Sequence, residues 1–296
     1  MIDHENPQIA HFDLQSHSTV SDGVLPPAEV VARAAAAGIE LLALTDHDAV
    51  DGVDEALEAA REHGVRLVPA AELSTVDGEH EDLHVVGYCL EHRDPALLEA
   101  LREFRADREA RVGRMAQALR ELGLAVEMPD RGGRPIGRPH LAAAAHAEPA
   151  NRARLEAEGL RTPTDLLVAY LIPGAPAYRR RTTPTVAEAI ALIHDTGGVA
   201  VWAHPFWDVD RDEEALEAIE RFAQAGLDGV EAFYITHTQE QTELLARVCA
   251  ERGLLSTGSA DFHGPEHPHF HAFGAFETYG LEPELGPIGA WPRAST

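Results

Sequence analysis

Residues 39–48 read IELLALTDHD, a short apolar run that ends in four polar residues. The same arrangement recurs at residues 12–17, FDLQSH, and at residues 199–205, VAVWAHP. Apolar runs of this length are typical of strands that are buried on both faces of a sheet. The strands that this pattern predicts cover residues 12–14, 39–44, 65–68, 83–88, 199–202, 229–233 and 254–256.

Segments that are flanked by proline or glycine, as helices often are, lie between most of these runs. Pro26 and Pro27 precede AEVVARAAAA and Gly38 follows it, while Gly64 follows DGVDEALEAAREH. The later segments TVAEAIALIHDT, EEALEAIERFAQA and TQEQTELLARVCAER also end at glycine. This alternation predicts an α/β protein with a parallel sheet whose faces are covered by helices.

The length of the chain favours one large domain with an insertion. Closed α/β barrels commonly take about 200–250 residues, and the chain has 296. Residues 94–184 break the alternation with a long charged helix, turns rich in Gly, Pro and Arg, and an Ala-rich segment. We therefore predict a discontinuous barrel at 10–93 and 185–280, a helical insertion domain at 94–184 and an irregular tail at 281–296.

The charge and cysteine content exclude several classes of protein. The formal net charge is −26, and all 24 basic residues are arginine. Because an acidic surface repels polyanions at long range, we expect neither stable duplex DNA binding nor membrane binding. Cys89 and Cys249 lack the spacing of a disulfide framework, and we find neither a signal peptide nor a membrane-spanning run. We expect a cytoplasmic protein whose oligomeric state is open.

Side chains of the types that bind metal ions follow the predicted strands or lie within them. They are His17, Asp22, His47, Glu72, His84, His204, Asp261 and His263. The carboxyl ends of barrel strands form the face where such enzymes place their active sites. Carboxylates gathered there would repel one another and would be costly to bury without a cation. Imidazole with carboxylate and no thiolate favours Zn²⁺, Mn²⁺ or Fe²⁺.

Six motifs together resemble the polymerase and histidinol phosphatase (PHP) family of phosphoesterases: DLQSHSTVSDG, LALTDHDAVDG, AAELS, LHVVGY, WAHP and SADFHG. The insertion segments IGRPHLA and GAPAY resemble the group of nucleoside 3′,5′-bisphosphate phosphatases and 5′-3′ exoribonucleases. The resemblance implies a distorted (β/α)₇ barrel with two or three divalent metal ions. It also implies hydrolysis of a small phosphorylated substrate, either a phosphomonoester or a short nucleotide phosphodiester such as a short RNA.

The resemblance implies up to three ion sites, of which the first two share Glu72. The first would be held by His17, Glu72 and Asp261; the second by Glu72, His84 and His204; and the third by Asp22, His47 and His263. His204 and Asp261 would then belong to the catalytic centre. A hydroxide that bridges two ions would attack phosphorus.

One position departs from the family pattern. The first family motif is usually D-L-H-x-H, whereas Gln15 stands here where the first histidine ligand is expected. An amide oxygen can bind a hard cation but is a poorer ligand than imidazole for zinc-like ions. We therefore expect the metal site that includes Gln15 to be weaker, altered in metal preference or empty.

Recognition of the substrate phosphate is expected from arginine, which offers a planar, bidentate donor. The candidate substrate-binding residues are Arg138 and His140 in GRPH, Tyr178 in GAPAY, and Arg179 or Arg180 directly after it. His140 or His237 could protonate the leaving group.

Two other functions remain open on the sequence. A metal-dependent amidohydrolase also places His and Asp at barrel strand ends, although many such enzymes use a carboxylated lysine and this chain has no lysine. A catalytically impaired ligand-binding protein is the other alternative, and Gln15 is its main support.

Overall fold

The computed structural model describes residues 11–78, 80–128, 130 and 136–292. Within them lies one seven-stranded sheet whose spatial order follows the sequence. The strands are β1 Phe12–Asp13, β2 Leu41–Leu44, β3 Arg66–Asp77, β4 His80–Tyr88, β5 Val199–Trp202, β6 Gly229–Tyr234 and β7 Leu255–Ser259.

The first and last strands are neighbours. The backbone amide of Leu14 donates to the carbonyl of Gly258 at 3.2 Å, and Ser16 forms a parallel bridge with Phe262. Since β1 also pairs with β2, the sheet is nearly closed into a barrel. The predicted barrel class is therefore confirmed.

Most connections between strands contain a helix. In chain order the helices are α1 Pro27–Ala36, α2 Val53–His63, α3 Pro95–Glu121, α4 Arg138–Ala147, α5 Arg152–Glu158, α6 Pro163–Tyr170, α7 Val186–Asp195, α8 Pro205–Asp208, α9 Asp212–Gln224, α10 Gln239–Arg252 and α11 Gly286–Gly289; a 3₁₀ turn covers Pro149–Asn151. The predicted glycine stops at Gly64 and Gly253 are confirmed, since both adopt the left-handed conformation after a helix.

The prediction of a parallel sheet is wrong for β4. This strand runs antiparallel to both β3 and β5. Only residues 78 and 79 separate β3 from β4, and a crossover between parallel strands needs a dozen or more. The two strands therefore form a hairpin.

Strand β3 is longer than its apolar run predicts. The expected strand at residues 65–68 continues to Asp77, and its residues from Leu67 to Val76 are all buried. Glu72, Ser74 and Thr75 lie in this continuation. Their polarity interrupts the apolar pattern in the sequence beyond Ala71, although their backbone continues to pair with β4.

Strand β2 shows how the barrel wall is buried on both sides. Leu41 and Ala43 pack in one apolar cluster with residues of the neighbouring strands. Leu42 and Leu44 point the other way and pack in a second cluster with residues of α1 and α2. Burial of each such leucine stabilises the fold by about 1.5–3 kcal/mol.

The described chain divides into two compact units. One comprises the residues up to Ala100 together with those from Pro184 onward, and the other is Leu101–Thr183. The second unit has its own apolar cluster, which includes Met115, Leu119 and Leu141. We find no helix among the described residues with both the length and the apolar character that crossing a bilayer requires.

The predicted irregular tail contains the short helix α11. Leu285 and Ile288, which lie just before and within it, belong to the same apolar cluster as Leu41. Side chains from the end of the described chain thus pack in the barrel core.

The carboxylate of Asp13 links β1 to the segments that follow β7. Its Oδ1 accepts the amide of Ala260 at 3.0 Å, and its Oδ2 accepts the amide of Gly274 at 2.8 Å. The side chain is fully buried, and this burial raises the pKa of Asp13 to about 7. Both carboxylate oxygens therefore stabilise the closure of the barrel.

We predict that Asp13→Asn destabilises the protein by about 1–3 kcal/mol. The amide keeps one acceptor oxygen but turns an NH₂ group toward a backbone N–H, which leaves a buried donor unsatisfied. Urea denaturation at a pH above the pKa of Asp13 measures the effect. The control is Asp210→Asn, because Asp210 is exposed and each substitution then removes one negative charge. Equal stability of the two variants would contradict this role of Asp13.

Candidate metal centre

The structure brings the predicted metal-binding side chains together in the barrel unit. His17, His47 and His204 follow β1, β2 and β5, Glu72 and His84 lie within β3 and β4, Asp22 lies in a turn after β1, and Asp261 and His263 follow β7. The distances between these side chains are short enough for several of them to bind the same ion, as the contacts around Glu72 show.

Glu72 lies at the middle of the cluster and is 1% exposed. Its Oε2 is 3.1 Å from His17 Nε2 and 3.3 Å from His47 Nδ1. Its Oε1 is 2.9 Å from His84 Nδ1 and 3.0 Å from His204 Nε2. Each oxygen thus faces its own pair of imidazoles, which is the arrangement of a carboxylate that bridges two cations.

Two further carboxylates complete the cluster. Asp22 lies 3.5 Å from both His17 and His47 and 3.6 Å from His263. Asp261 Oδ1 lies 3.1 Å from His17 Nε2 and 3.6 Å from His263 Nδ1. His17 therefore contacts three carboxylates, counting Glu72.

The pKa values in the cluster are shifted in opposite directions. Burial opposes a charge on His17, but the adjacent carboxylates of Asp261 and Glu72, each 3.1 Å from its Nε2, raise its pKa well above the ordinary value. Burial lowers the pKa of His47 to about 4. Burial also disfavours the charged form of Glu72, yet the charges of His47 and His84 hold its pKa well below the ordinary value. Strong opposed shifts of this kind mark candidate functional sites.

The cluster has the donor atoms and geometry that a divalent ion needs. His17 Nε2, His47 Nδ1 and Glu72 Oε2 are buried and make no hydrogen bond. Ligand atoms of His17, Asp22, His47 and His263 lie within 4.8 Å of one another, as do those of His47, Glu72 and His84. Buried polar atoms are costly unless satisfied, and bound cations would satisfy these. Nitrogen and oxygen donors without sulfur fit Zn²⁺, Mn²⁺ or Fe²⁺.

Gln15 lies beside this cluster and is fully buried. Its Nε2 donates to Asp261 Oδ1 at 3.3 Å, and its Oε1 is buried without a hydrogen bond. The amide therefore contacts a candidate ligand carboxylate through its donor group.

Asp46 supports the turn that carries Asp22, and sequence reasoning missed this role. Its carboxylate accepts the backbone amides of Ser18 and Ser21 at 2.8 and 3.1 Å and their hydroxyls at 2.7 and 2.6 Å. The turn also requires Gly23, because a Cβ there would lie 2.3 Å from the carbonyl oxygen of His17. The T-D-H and S-D-G motifs thus depend on each other.

Glu231 and Tyr234, both in β6, support ligands from neighbouring strands and were also missed. Glu231 accepts the backbone amide of His204 at 2.9 Å and the Ser259 hydroxyl at 2.6 Å. Tyr234 donates its hydroxyl to Asp261 Oδ2 at 2.8 Å. The available signal was a glutamate inside an otherwise apolar strand, GVEAFY.

Two candidate ligands have strained backbones. His204 has φ 31° and Asp261 has φ 53°, in the left-handed region that non-glycine residues rarely adopt. Such conformations cost about 1–3 kcal/mol each and cluster at functional sites. Two hydrogen bonds help to hold these residues in place: the His204 amide donates to Glu231, and the Tyr234 hydroxyl donates to Asp261.

His237 is buried outside this cluster. Its Nδ1 lies 3.2 Å from the Ala232 carbonyl, and its ring packs against Phe206 and Tyr234. Burial lowers its pKa to about 4, so the imidazole is neutral near pH 7. A disfavoured protonated form weakens the case for His237 as a general acid, and the catalytic role of His237 stays a prediction.

The predicted substrate residues lie in the second compact unit. The Arg138 guanidinium is 5.9 Å from the Tyr178 ring centroid, and Arg179 donates to the Tyr178 carbonyl at 2.7 Å. His140 Nδ1 accepts the Gly137 amide at 3.0 Å and so caps α4. Arg138, Tyr178 and Arg179 thus lie close together, and their roles and that of His140 stay predictions.

Comparisons with known proteins identify relatives that match most of the chain. The PHP domain model matches residues 13–144. The 3′,5′-nucleoside bisphosphate phosphatase of Chromobacterium violaceum is 33% identical over 261 residues, which cover 87% of this chain and 88% of that protein. The 5′-3′ exoribonuclease of Haemophilus influenzae is 32% identical over 254 residues, which cover 86% of this chain and 90% of that protein.

A solved structure extends the similarity to the fold. It is an amidohydrolase from Chromobacterium violaceum with bound sulfate and no metal, and it has a TM-score of 0.75 and 30% sequence identity to this chain. The match covers 89% of this chain and 90% of that one. Similarity along almost the whole length, with a shared barrel, shows that the chain belongs to the PHP family.

Proposed function

We propose that this metal-dependent phosphoesterase hydrolyses a small nucleotide, either a nucleoside 3′,5′-bisphosphate or a short nucleotide phosphodiester. The observation that carries the proposal is the position of Glu72, whose two buried oxygens each face a pair of imidazoles. The names of the two curated relatives, a bisphosphate phosphatase and an exoribonuclease, support this substrate class. The sulfate in the Chromobacterium structure is tetrahedral and anionic like the phosphoryl group.

The residues of the cluster would hold two or three ions, of Mn²⁺, Zn²⁺ or Fe²⁺. Bound divalent ions lower the pKa of coordinated water and neutralise charge on phosphoryl oxygens. Glu72 would keep two ions at a fixed separation through its two oxygens. His84 and His204 would orient one side of the site, and His17 and Asp261 the other.

The charge of the chain favours a small substrate. A net charge of −26 repels a long polyanion at long range and so disfavours its binding. A compact phosphorylated molecule needs only local positive charge, which the ions would supply. A negative overall charge with local positive charge at the metal site is expected of a cytoplasmic enzyme that acts on nucleotides or short RNA.

The barrel and the insertion have different roles in the proposed reaction. We propose that the barrel at 10–93 and 185–280 carries the chemistry and that residues 94–184 bind a further phosphate of the substrate. Arg138 and Arg179 are the candidate phosphate donors because arginine offers paired N–H groups to phosphate oxygens. His140 is the candidate general acid.

Gln15 would support a ligand rather than bind an ion with full strength. Its Nε2 donates to Asp261 Oδ1, so the amide group is oriented by that carboxylate. An imidazole at this position would offer a stronger nitrogen ligand to a zinc-like ion. The metal site nearest Gln15 would therefore be the weakest of the cluster.

We predict that the protein with Mn²⁺ releases phosphate from adenosine 3′,5′-bisphosphate and that Asp261→Ala reduces the rate by more than about 100-fold. Loss of a group that only orients a metal ligand costs about 10–100-fold, so loss of a ligand should cost more. A colorimetric phosphate assay measures the rate, and Asp210→Ala is the control for removal of an exposed carboxylate. Activity in Asp261→Ala equal to that of the control would contradict the assignment.

We predict that Gln15→His retains about one more Zn²⁺ per chain than the wild type after loading and desalting, because imidazole binds such ions more strongly than an amide. Elemental analysis by mass spectrometry counts the ions. Gln15→Ala is the matched control, which lacks both the amide and an imidazole, and it should retain no more ions than the wild type. If Gln15→His also retains no more Zn²⁺ than the wild type, the account of Gln15 is wrong.

A further inference from the structure

Trp207 is a large aromatic side chain that is exposed next to the metal centre. It lies in α8, three residues after the candidate ligand His204, and its backbone amide donates to the His204 carbonyl at 2.8 Å. Trp207 is 54% exposed, whereas Trp202 in the preceding strand is fully buried. The metal chemistry described above gives Trp207 no role.

A row of aromatic rings connects Trp207 with the cluster. The Trp207 ring lies 5.6 Å from the ring of Phe270, which is buried. Phe270 in turn lies 5.4 Å from the ring of His263 and 6.2 Å from that of Tyr234, which donates to Asp261. Two ring-to-ring steps therefore separate the exposed indole from a candidate metal ligand, a span that one nucleoside can bridge.

Contact with Phe270 restricts the orientation of the Trp207 indole ring. An aromatic pair in edge-to-face contact restricts the orientation of both rings, and the buried Phe270 is held by its neighbours. A nucleobase stacks on such a face without any requirement for cationic charge. Stacking thus suits a chain that has a net charge of −26 and no lysine.

We propose that Trp207, held by Phe270, is the platform on which the nucleobase of the substrate stacks while its phosphate lies at the metal centre. This inference rests on the proposed nucleotide substrate and adds the residue that distinguishes base-bearing phosphoesters from phosphate alone. The side chain contributes to binding and takes no part in proton transfer.

Steady-state kinetics with adenosine 3′,5′-bisphosphate test the proposal. Trp207→Ala should raise KM by about 5- to 150-fold, the loss expected from one base–aromatic stack, with a smaller change in kcat. Trp207→Phe should recover most of the affinity because it keeps an aromatic face. The inhibition constant of inorganic phosphate, which has no base, should be the same in all three proteins.

A second readout does not need turnover. With Zn²⁺ present, adenosine 5′-monophosphate should quench part of the tryptophan fluorescence of the wild type, and Trp207→Phe should abolish that part. Turnover by the wild type with an unchanged KM in Trp207→Ala would overturn the platform and leave the proposed function intact. If the wild type hydrolyses no nucleotide, the proposed function fails, and the fluorescence experiment alone tests whether Trp207 binds a nucleobase. Quenching in the wild type that is lost in Trp207→Phe supports the platform. Absence of quenching in the wild type overturns it.

Discussion

The buried carboxylate of Glu72 is the constraint on which the rest of the site depends. An ionised carboxylate that is 1% exposed is costly unless it is paired, and its partners here are four imidazoles that contact its two oxygens in pairs. Asp22 and Asp261 add further negative charge to the same cluster. Divalent cations between these groups would balance the charge of the carboxylates. The requirement for bound cations accounts for the cluster of nitrogen and oxygen ligand atoms at one end of the barrel.

The β3–β4 hairpin makes this arrangement possible. In the antiparallel register Ser74 pairs with His84 and Glu72 pairs with Val86, so Glu72 and His84 lie two positions apart on the same face. The strained backbones of His204 and Asp261 add ligands from β5 and β7. Buried hydrogen bonds with Glu231, Tyr234 and Asp46 then hold these residues and the Ser18–Ser21 turn. The ligand positions therefore depend on supporting side chains in β6 and just after β2.

Much of the barrel was predictable because the apolar runs of parallel strands and the glycine stops of helices are local signals. The candidate metal ligands were predictable for the same reason, since polar residues such as His17 and His47 follow those runs. The hairpin was not, because Glu72, Ser74 and Thr75 interrupt the apolar pattern of β3 while its pairing continues. The roles of Asp46 and Glu231 depend on contacts with segments distant in the chain, which a single sequence does not reveal.

Diffraction from metal-loaded crystals, with anomalous data collected at the zinc edge, tests the central claim most directly. The account predicts two anomalous peaks that flank Glu72, each about 2.0–2.2 Å from one of its oxygens, with His84 and His204 on one ion. Peaks only outside the cluster, or a cluster in which Glu72 contacts no ion, would contradict the assignment of this carboxylate as the bridge between metals.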